Sequence, residues 1–423
     1  MGRGASSRVG GRGGGHREWC GGDLRRVLPS GERGTGPSDR NHREHLRGAR
    51  RPRACAAYGC HRASVVRPQE LCTLPGWTGG MKALIFQGPM RMVVEDVPEP
   101  VAAAGELLLR VDAVGICGSD VHGYAGETGR RTAGMVMGHE ISATVLELGD
   151  GVTGWSSGDC VAVNPVIGCR QCIRCHAGNT NLCPYRRVIG VDSHYRGGYA
   201  EQIVVPAANA VPLEAGLWQG ALIEPLAVGL QAVRQAGVCR DTEVAVLGAG
   251  MIGLAATWAA WRDGARDVFT GDLDATKVRR AERLGAVGLS LSATTLREAL
   301  EARGVTEIAR VVDAIGISAT IDSALDMVTP GGTVCIVGMG SPQVQLPAYA
   351  LTTAERRIVG SFCYSEAHFR EAAEALLDGT VPVDLFIDRE IGLDEAPEAF
   401  RQLASGERAT VKTVIRPTGR QAC

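Results

Sequence analysis

Nowhere does this chain run apolar for the roughly 18 residues that a membrane-crossing helix needs, and it shows no secretory h-region. A membrane is therefore not expected as a partner. Net charge is nearly absent too. The formal value is −1 at pH 7 over 423 residues, which removes any general reason to look for nucleic acid or an anionic surface. No internal repeat is visible at a period of roughly 20 to 50 residues, which sets solenoids and propellers aside. A disulfide framework is missing as well, although there are 14 Cys. Four of them fall between positions 169 and 183, a clustering that suits thiolate metal ligands in a reducing compartment. The expectation is a cytoplasmic protein.

What remains is ordinary globular material, 45% hydrophobic and 22% charged, in a chain long enough for two or three domains. The average hides an asymmetry. Before Met81 there are fifteen Arg, six acidic residues and no Lys, so that segment carries about +9 and the remainder about −10. Runs such as Gly10-Gly11-Arg12-Gly13-Gly14-Gly15 have no helical or strand period and too little apolar surface to offset the entropy of ordering. Residues 1–80 are expected to be a disordered Arg/Gly-rich extension. The folded chain would open at Met81-Lys82-Ala83-Leu84-Ile85-Phe86, a strand pattern. An RNA-binding tail and a transit peptide are the competing readings of that segment.

Residues 81–225 read as β-rich, with short runs such as Glu106-Leu107-Leu108-Leu109-Arg110-Val111 set between Gly- and Pro-bearing turns. From about residue 226 strands alternate with helices, which implies right-handed crossovers and a parallel sheet. After about residue 365 a helix-rich tail is expected. The fold class is α/β. A β-rich region (81–225) would accompany a parallel-sheet region (226–365) and the tail (366–423).

In that second part Gly248-Ala249-Gly250-Met251-Ile252-Gly253 lies between a hydrophobic strand and an Ala-rich helix. Gly248 permits a tight turn, Gly250 clears the approach of a pyrophosphate, and Gly253 lets helix and strand pack closely. Free amides and the helix dipole would hold the phosphates. Asp272, nineteen residues after Gly253, can accept from ribose hydroxyls and repel a 2′-phosphate, which favours NAD over NADP. A turn or helix N-cap role is its alternative. Lys277 and Arg279 keep NADP open. The candidate cofactor contacts are Gly248, Gly250, Ile252, Gly253, Asp272, Lys277 and Val337.

Two metal sites are expected. Cys169, Cys172, Cys175 and Cys183 on one turn-rich loop can close a tetrahedron on zinc, which leaves no open position and makes the site structural. A second set is dispersed: Cys117 in Gly115-Ile116-Cys117-Gly118-Ser119-Asp120-Val121-His122, then Gly138-His139-Glu140, then Ile223-Glu224-Pro225. Cys, His and a carboxylate suit zinc with one position left for water or substrate. Taken singly, Cys117 reads equally as a buried thiol and His139 as a satisfied core histidine.

With these pieces, and with Gly197-Gly198-Tyr199-Ala200-Glu201 and Glu224-Pro225-Leu226, the chain resembles the zinc-containing medium-chain alcohol dehydrogenase family in its sorbitol and threonine dehydrogenase branch. The resemblance covers residues 81 to about 415. It implies a GroES-like catalytic domain, a Rossmann cofactor domain and an active site between them. It makes Cys117 and His139 catalytic-zinc ligands and both Glu140 and Glu224 site residues, either of which can complete the coordination. It gives Asp120 the task of orienting that site, and Ser119 and His122 a proton relay. Cys363, in Gly360-Ser361-Phe362-Cys363-Tyr364, stands where sorbitol-type members commonly have a substrate-contacting Arg, which argues against sorbitol itself.

The function implied is oxidation of a secondary alcohol, a polyol or sugar alcohol first, to a ketone with hydride transfer to NAD. Threonine 3-dehydrogenase and vicinal diol dehydrogenase are the alternatives. Family members are commonly dimers or tetramers, so a homo-oligomer is expected. Two readings of other classes stand beside these: an RNA-binding protein that uses the Arg/Gly-rich tail, and a sensor that binds NAD without turnover.

Overall fold

The structure, a computed structural model, describes residues 80–407 and 410–419. The expected disordered extension lies outside the described residues apart from Gly80. That residue already belongs to the first strand, Gly80–Gly88, one position earlier than the sequence pattern suggested.

A β-rich part surrounds the long strand Glu106–Gly115. Its alternation is weak because both faces are covered, and Leu107, Leu109, Val111, Ala113 and Val114 are all fully buried. Strands Glu140–Leu148, Gln202–Pro206 and Thr413–Arg416 pair antiparallel with it. Cys160–Val163 and Ala210–Leu213 extend the same seven-stranded sheet. A three-stranded sheet of Arg91–Pro98, Gly80–Gly88 and Met135–Val136 packs against it, with Phe86, Tyr124, Tyr199 and Phe400 in the shared core.

The tail is more than helical. It contains the expected helices Glu366–Leu377 and Ala396–Ala404, but also the strands Arg389–Gly392 and Thr413–Arg416. Each of these strands is four residues long, and their residues gain their β-character from pairing with an existing sheet edge, not from a local pattern. Val414 sits opposite Gly115 and Ile415 opposite Val114, which carries Lys412 to the end of the central strand.

The remaining strands form a six-stranded, wholly parallel sheet. Its order is Val287–Ser290, Asp267–Asp272, Glu243–Leu247, Ile308–Asp313, Val328–Ile336, Arg357–Gly360. Two strand series wind outward in opposite directions from Glu243–Leu247, the doubly wound order whose switch point lies at that strand's carboxyl end. The chain is thus α/β, with a GroES-like part and a Rossmann-type sheet. Among the described residues no helix is long and apolar enough to cross a membrane.

Candidate active site

The central strand Glu106–Gly115 ends where Ile116 and Cys117 turn into the helix Gly118–Tyr124. Its neighbour begins at Glu140, which pairs with Gly115, so His139 and Glu140 reach the same end of the sheet. One ligand atom from each of Cys117, His139 and Glu140 lies within 4.8 Å of the others. A Cβ on Gly115 would displace the Glu140 carboxylate from the place it holds.

The donors are held from behind. Glu140 Oε1 accepts from Lys412 Nζ at 2.7 Å, and Lys412 donates also to the carbonyl of Ile116 at 3.0 Å. Asp120 accepts from the Tyr199 hydroxyl at 2.8 Å and from Arg131 Nη2 at 3.0 Å. Its Oδ2 lies 3.4 Å from His139 Nδ1. The contact is not a hydrogen bond, since His139 Nδ1 is buried without a partner, but a carboxylate beside one ring nitrogen favours the other as the metal's donor. Glu224, in the first turn of helix Ile223–Ala236, is buried and belongs to the same electrostatic cluster, though not to the trio within ligand distance.

The cluster is short of positive charge. Glu140 Oε2 is buried without a hydrogen-bond partner, a situation that costs about 1–3 kcal/mol for an ordinary polar atom and more for a charged one. Burial works against a charge on His139, yet Asp120 and Cys117 outweigh it and hold its pKa up at about 10. Burial pushes Glu224 up to about 7, with His139 pulling it down and Glu140 pushing it up. A thiol, an imidazole and an orphaned carboxylate oxygen around a common point fit a zinc ion in both donor type and charge.

Ser119 and His122 share the helix that follows Cys117. The Ser119 hydroxyl donates towards Cys117 Sγ at 3.4 Å. His122 is exposed, and its Nδ1 lies 2.6 Å from Glu127 Oε2. One helix therefore runs from the trio to solvent.

The thiols of Cys169, Cys172, Cys175 and Cys183 form a lobe on the helix Ile173–His176 and its flanking turns. Cys172 Sγ and Cys169 Sγ lie 3.6 Å and 4.0 Å from Cys175 Sγ. Zinc–thiolate bonds of about 2.3 Å in a tetrahedron put the sulfurs about 3.8 Å apart, so the spacing fits. Backbone amides of Cys169 and Tyr185 point at Cys183 Sγ, each at 3.4 Å. The amide of Gln171 leads in pulling Cys169 down to about 6, while burial leads in pushing Cys175 up to about 12. Cys172→Ser is expected to lower the metal content by one equivalent and to lower Tm; unchanged metal content by elemental analysis would refute a zinc role for the lobe.

The second sheet presents the glycine turn. Gly248 has φ +90°, a left-handed conformation that a side chain resists, and Gly253 lies so close to the Gly248 carbonyl that no Cβ fits between them. A Cβ on Gly250, which caps the helix Met251–Arg262, would meet nothing within 4 Å. Open space in front of a helix N-terminus fits a pyrophosphate. Ile252 is half-buried in the first turn of that helix. Asp272 ends the adjacent strand and accepts from the amides of Ala249 at 2.8 Å and Asp274 at 2.9 Å, which leaves lone pairs on both oxygens. Lys277 is half-buried on the next helix, Ala275–Arg283. Val337 follows the strand Val328–Ile336, and its amide donates to the carbonyl of Asp313 at 3.0 Å.

Sequence reasoning did not find Lys412, Arg131 or Glu127, and it quoted Tyr199 and Tyr364 without giving them a task. One signal was available for Lys412: the whole chain has three lysines, at 82, 277 and 412. Arg131 and Glu127 carry no such mark, because Arg and Glu are common throughout. Cys363, flagged as a departure, is half-buried, with its backbone in the left-handed region at φ +47°. Burial pushes its thiol up, and Glu224, Arg186 and Cys117 all act on it.

Two family models match, one described as alcohol dehydrogenase GroES-like domain over residues 103–215 and one as zinc-binding dehydrogenase over residues 252–378. L-galactonate-5-dehydrogenase of Escherichia coli K12 is 32% identical over 337 residues, which is 79% of this chain and 98% of that protein. The crystal structure of 2R,3R-butanediol dehydrogenase from Bacillus subtilis is similar at a TM-score of 0.73 and 29% identity, covering 80% of this chain and 99% of the other. A short chain alcohol dehydrogenase from Escherichia coli CFT073, solved with the cofactor NADH, is similar at 0.74 and 26%, with 80% and 99% covered.

Proposed function

This chain belongs to the zinc-containing medium-chain alcohol dehydrogenases, and from that premise we propose that it oxidises a secondary alcohol of the polyol or sugar class to a ketone with NAD as hydride acceptor. The observation that carries the reading is the meeting of Cys117, His139 and Glu140 within 4.8 Å at the end of the central strand. The relative that acts on L-galactonate supports a polyhydroxylated substrate. The similarity to a butanediol dehydrogenase supports a vicinal diol as the second reading.

When bound, zinc supplies a Lewis acid that lowers the pKa of the substrate hydroxyl, and the nicotinamide supplies the hydride acceptor. The protein's residues do the rest. Cys117 and His139 hold the metal, with Glu140 Oε2 and Glu224 as the carboxylates available to it. Asp120 fixes the His139 ring, and Arg131 and Tyr199 fix Asp120. Ser119 takes the hydroxyl proton, and His122, paired with Glu127, passes it to water. The Gly248, Gly250 and Gly253 turn and Ile252 hold the pyrophosphate. Asp272 takes the adenosine ribose, with Lys277 and Val337 beside the cofactor.

We read residues 81–225 with 366–423 as the catalytic domain and 226–365 as the cofactor domain. The thiols of Cys169, Cys172, Cys175 and Cys183, grouped as metal ligands, fit a reducing cytoplasm. Exposed Met339, Val344, Leu346 and Tyr349, between the last two strands of the parallel sheet, fit a homo-oligomer, dimer or tetramer, which light scattering measures.

The test is an NADH-release screen of the zinc-loaded chain against sugar alcohols, aldonates, vicinal diols and threonine. Oxidation of polyhydroxylated substrates is expected, and no NADH from any alcohol sinks the reading. Asp272→Gly combined with Leu273→Arg is expected to move the kcat/KM ratio of NADP over NAD up by about ten- to a hundredfold, the worth of charge-assisted contacts to a 2′-phosphate. Leu273 is 71% exposed, so the new Arg has room. An unmoved ratio would take the ribose role from Asp272.

A further inference from the structure

The turn at residues 361–364 lies within electrostatic reach of Glu224, and contacts from the four-thiol lobe hold that turn. Asn181, 2% exposed, donates Nδ2 to the carbonyl of Phe362 at 2.9 Å. The amide of Glu366 donates to the carbonyl of Gly178 at 3.0 Å, and Arg170 lies 3.7 Å from the Glu366 carboxylate. These contacts explain how Cys363 is kept in a left-handed conformation that its side chain disfavours.

The same lobe places a cation on that turn. The guanidinium of Arg186 lies 4.8 Å from the centre of the Phe362 ring, and its Nη1 is 3.4 Å from the carbonyl of Cys183. Stacking on an aromatic face fixes the group without neutralising it. Its reach extends to the Cys363 thiol, which Glu224 and Cys117 also reach. The other cations at the site are committed: Lys412 to Glu140 and Arg131 to Asp120, both pairs nearly inaccessible to solvent. Arg186 alone among these three is exposed and makes no ion pair with a described residue.

Resting on the alcohol-oxidation reading above, we infer that Arg186 is a specificity-determining residue and that the substrate is a polyhydroxylated alcohol with an anionic end group, a carboxylate or a phosphate monoester. The planar fork of Arg suits either anion. The metal end of the site, rich in acids, and the Arg186 end would orient such a molecule in one direction.

The probes are D-gluconate, D-sorbitol and D-sorbitol 6-phosphate, which share a six-carbon chain and differ in charge. Each is titrated calorimetrically into the zinc-loaded, NADH-bound full chain, and kcat/KM is measured with NAD in parallel. At least one anionic probe is expected to bind more tightly than D-sorbitol, and the stronger of the two identifies the end group. Arg186→Met, which keeps the stem over Phe362, is expected to weaken that anion by about ten- to a hundredfold relative to D-sorbitol. Arg186→Lys should recover part of the loss, and raised ionic strength should weaken the wild type towards the Met variant. Anions bound no better than D-sorbitol, or a Met variant that loses all three probes equally, would overturn the inference. Arg186-dependent anion binding without any NADH formed would uphold it and count against the oxidation reading.

Discussion

Cys117→Ser is expected to lower alcohol oxidation at least about a thousandfold while the affinity for NADH, followed by its fluorescence, stays near the wild-type value. A serine hydroxyl remains protonated and is a poor ligand for zinc, so one of three protein donors is lost. Lewis-acid stabilisation is worth several kcal/mol, and each 1.36 kcal/mol is a factor of ten in rate. The glycine turn sits on a different sheet, after the strand Glu243–Leu247, and draws nothing from Cys117. Bound metal should fall together with turnover. A Ser variant with wild-type kcat/KM would remove Cys117 from the ligand set, and the proposed site with it.

Lys412→Met is expected to destabilise the protein by about 3–5 kcal/mol, read as a fall in Tm. Removing one partner from a buried ion pair strands the other charge in a medium of low polarity. Lys412 and Glu140 are 3% and 1% exposed, and the lysine also satisfies the carbonyl of Ile116. Methionine fills similar volume, so the packing loss is small and the effect is electrostatic. The pairing has its own check. Glu140→Gln in the Lys412→Met background should recover much of the lost stability, because the stranded charge is gone. A Lys412→Met protein that melts within a degree of the wild type would show that Glu140 finds its cation elsewhere, and the bound metal would be the first candidate.

The thiol lobe could be read from sequence because its ligands lie in one short, dense motif, whereas the dispersed Cys117, His139, Glu140 and Glu224 took their roles from the family resemblance. The four cysteines fall within fifteen residues, so bringing their sulfurs together closes only short loops at a small entropic cost. The glycine turn was legible for a similar reason: each glycine answers a local demand, a left-handed φ at Gly248 and a close approach at Gly253. The alternating strands and helices of residues 243–360 announced a parallel sheet through their period. The tail was harder. Arg389–Gly392 and Thr413–Arg416 are too short to show one.

The sequence alone therefore determined the kind of chemistry, through donor types and spacings that survive in any conformation the local chain can adopt. The tertiary structure decided which distant charges meet. Lys412 reaches Glu140 across 272 positions, Tyr199 reaches Asp120 across 79, and Asn181 grips Phe362 across 181. Electrostatic energy depends on distance through space and on burial, neither of which is written in spacing along the chain. For that reason the partners of the metal-binding residues, and the placing of Arg186 over the Phe362 ring, emerged only once the sheets had closed around them.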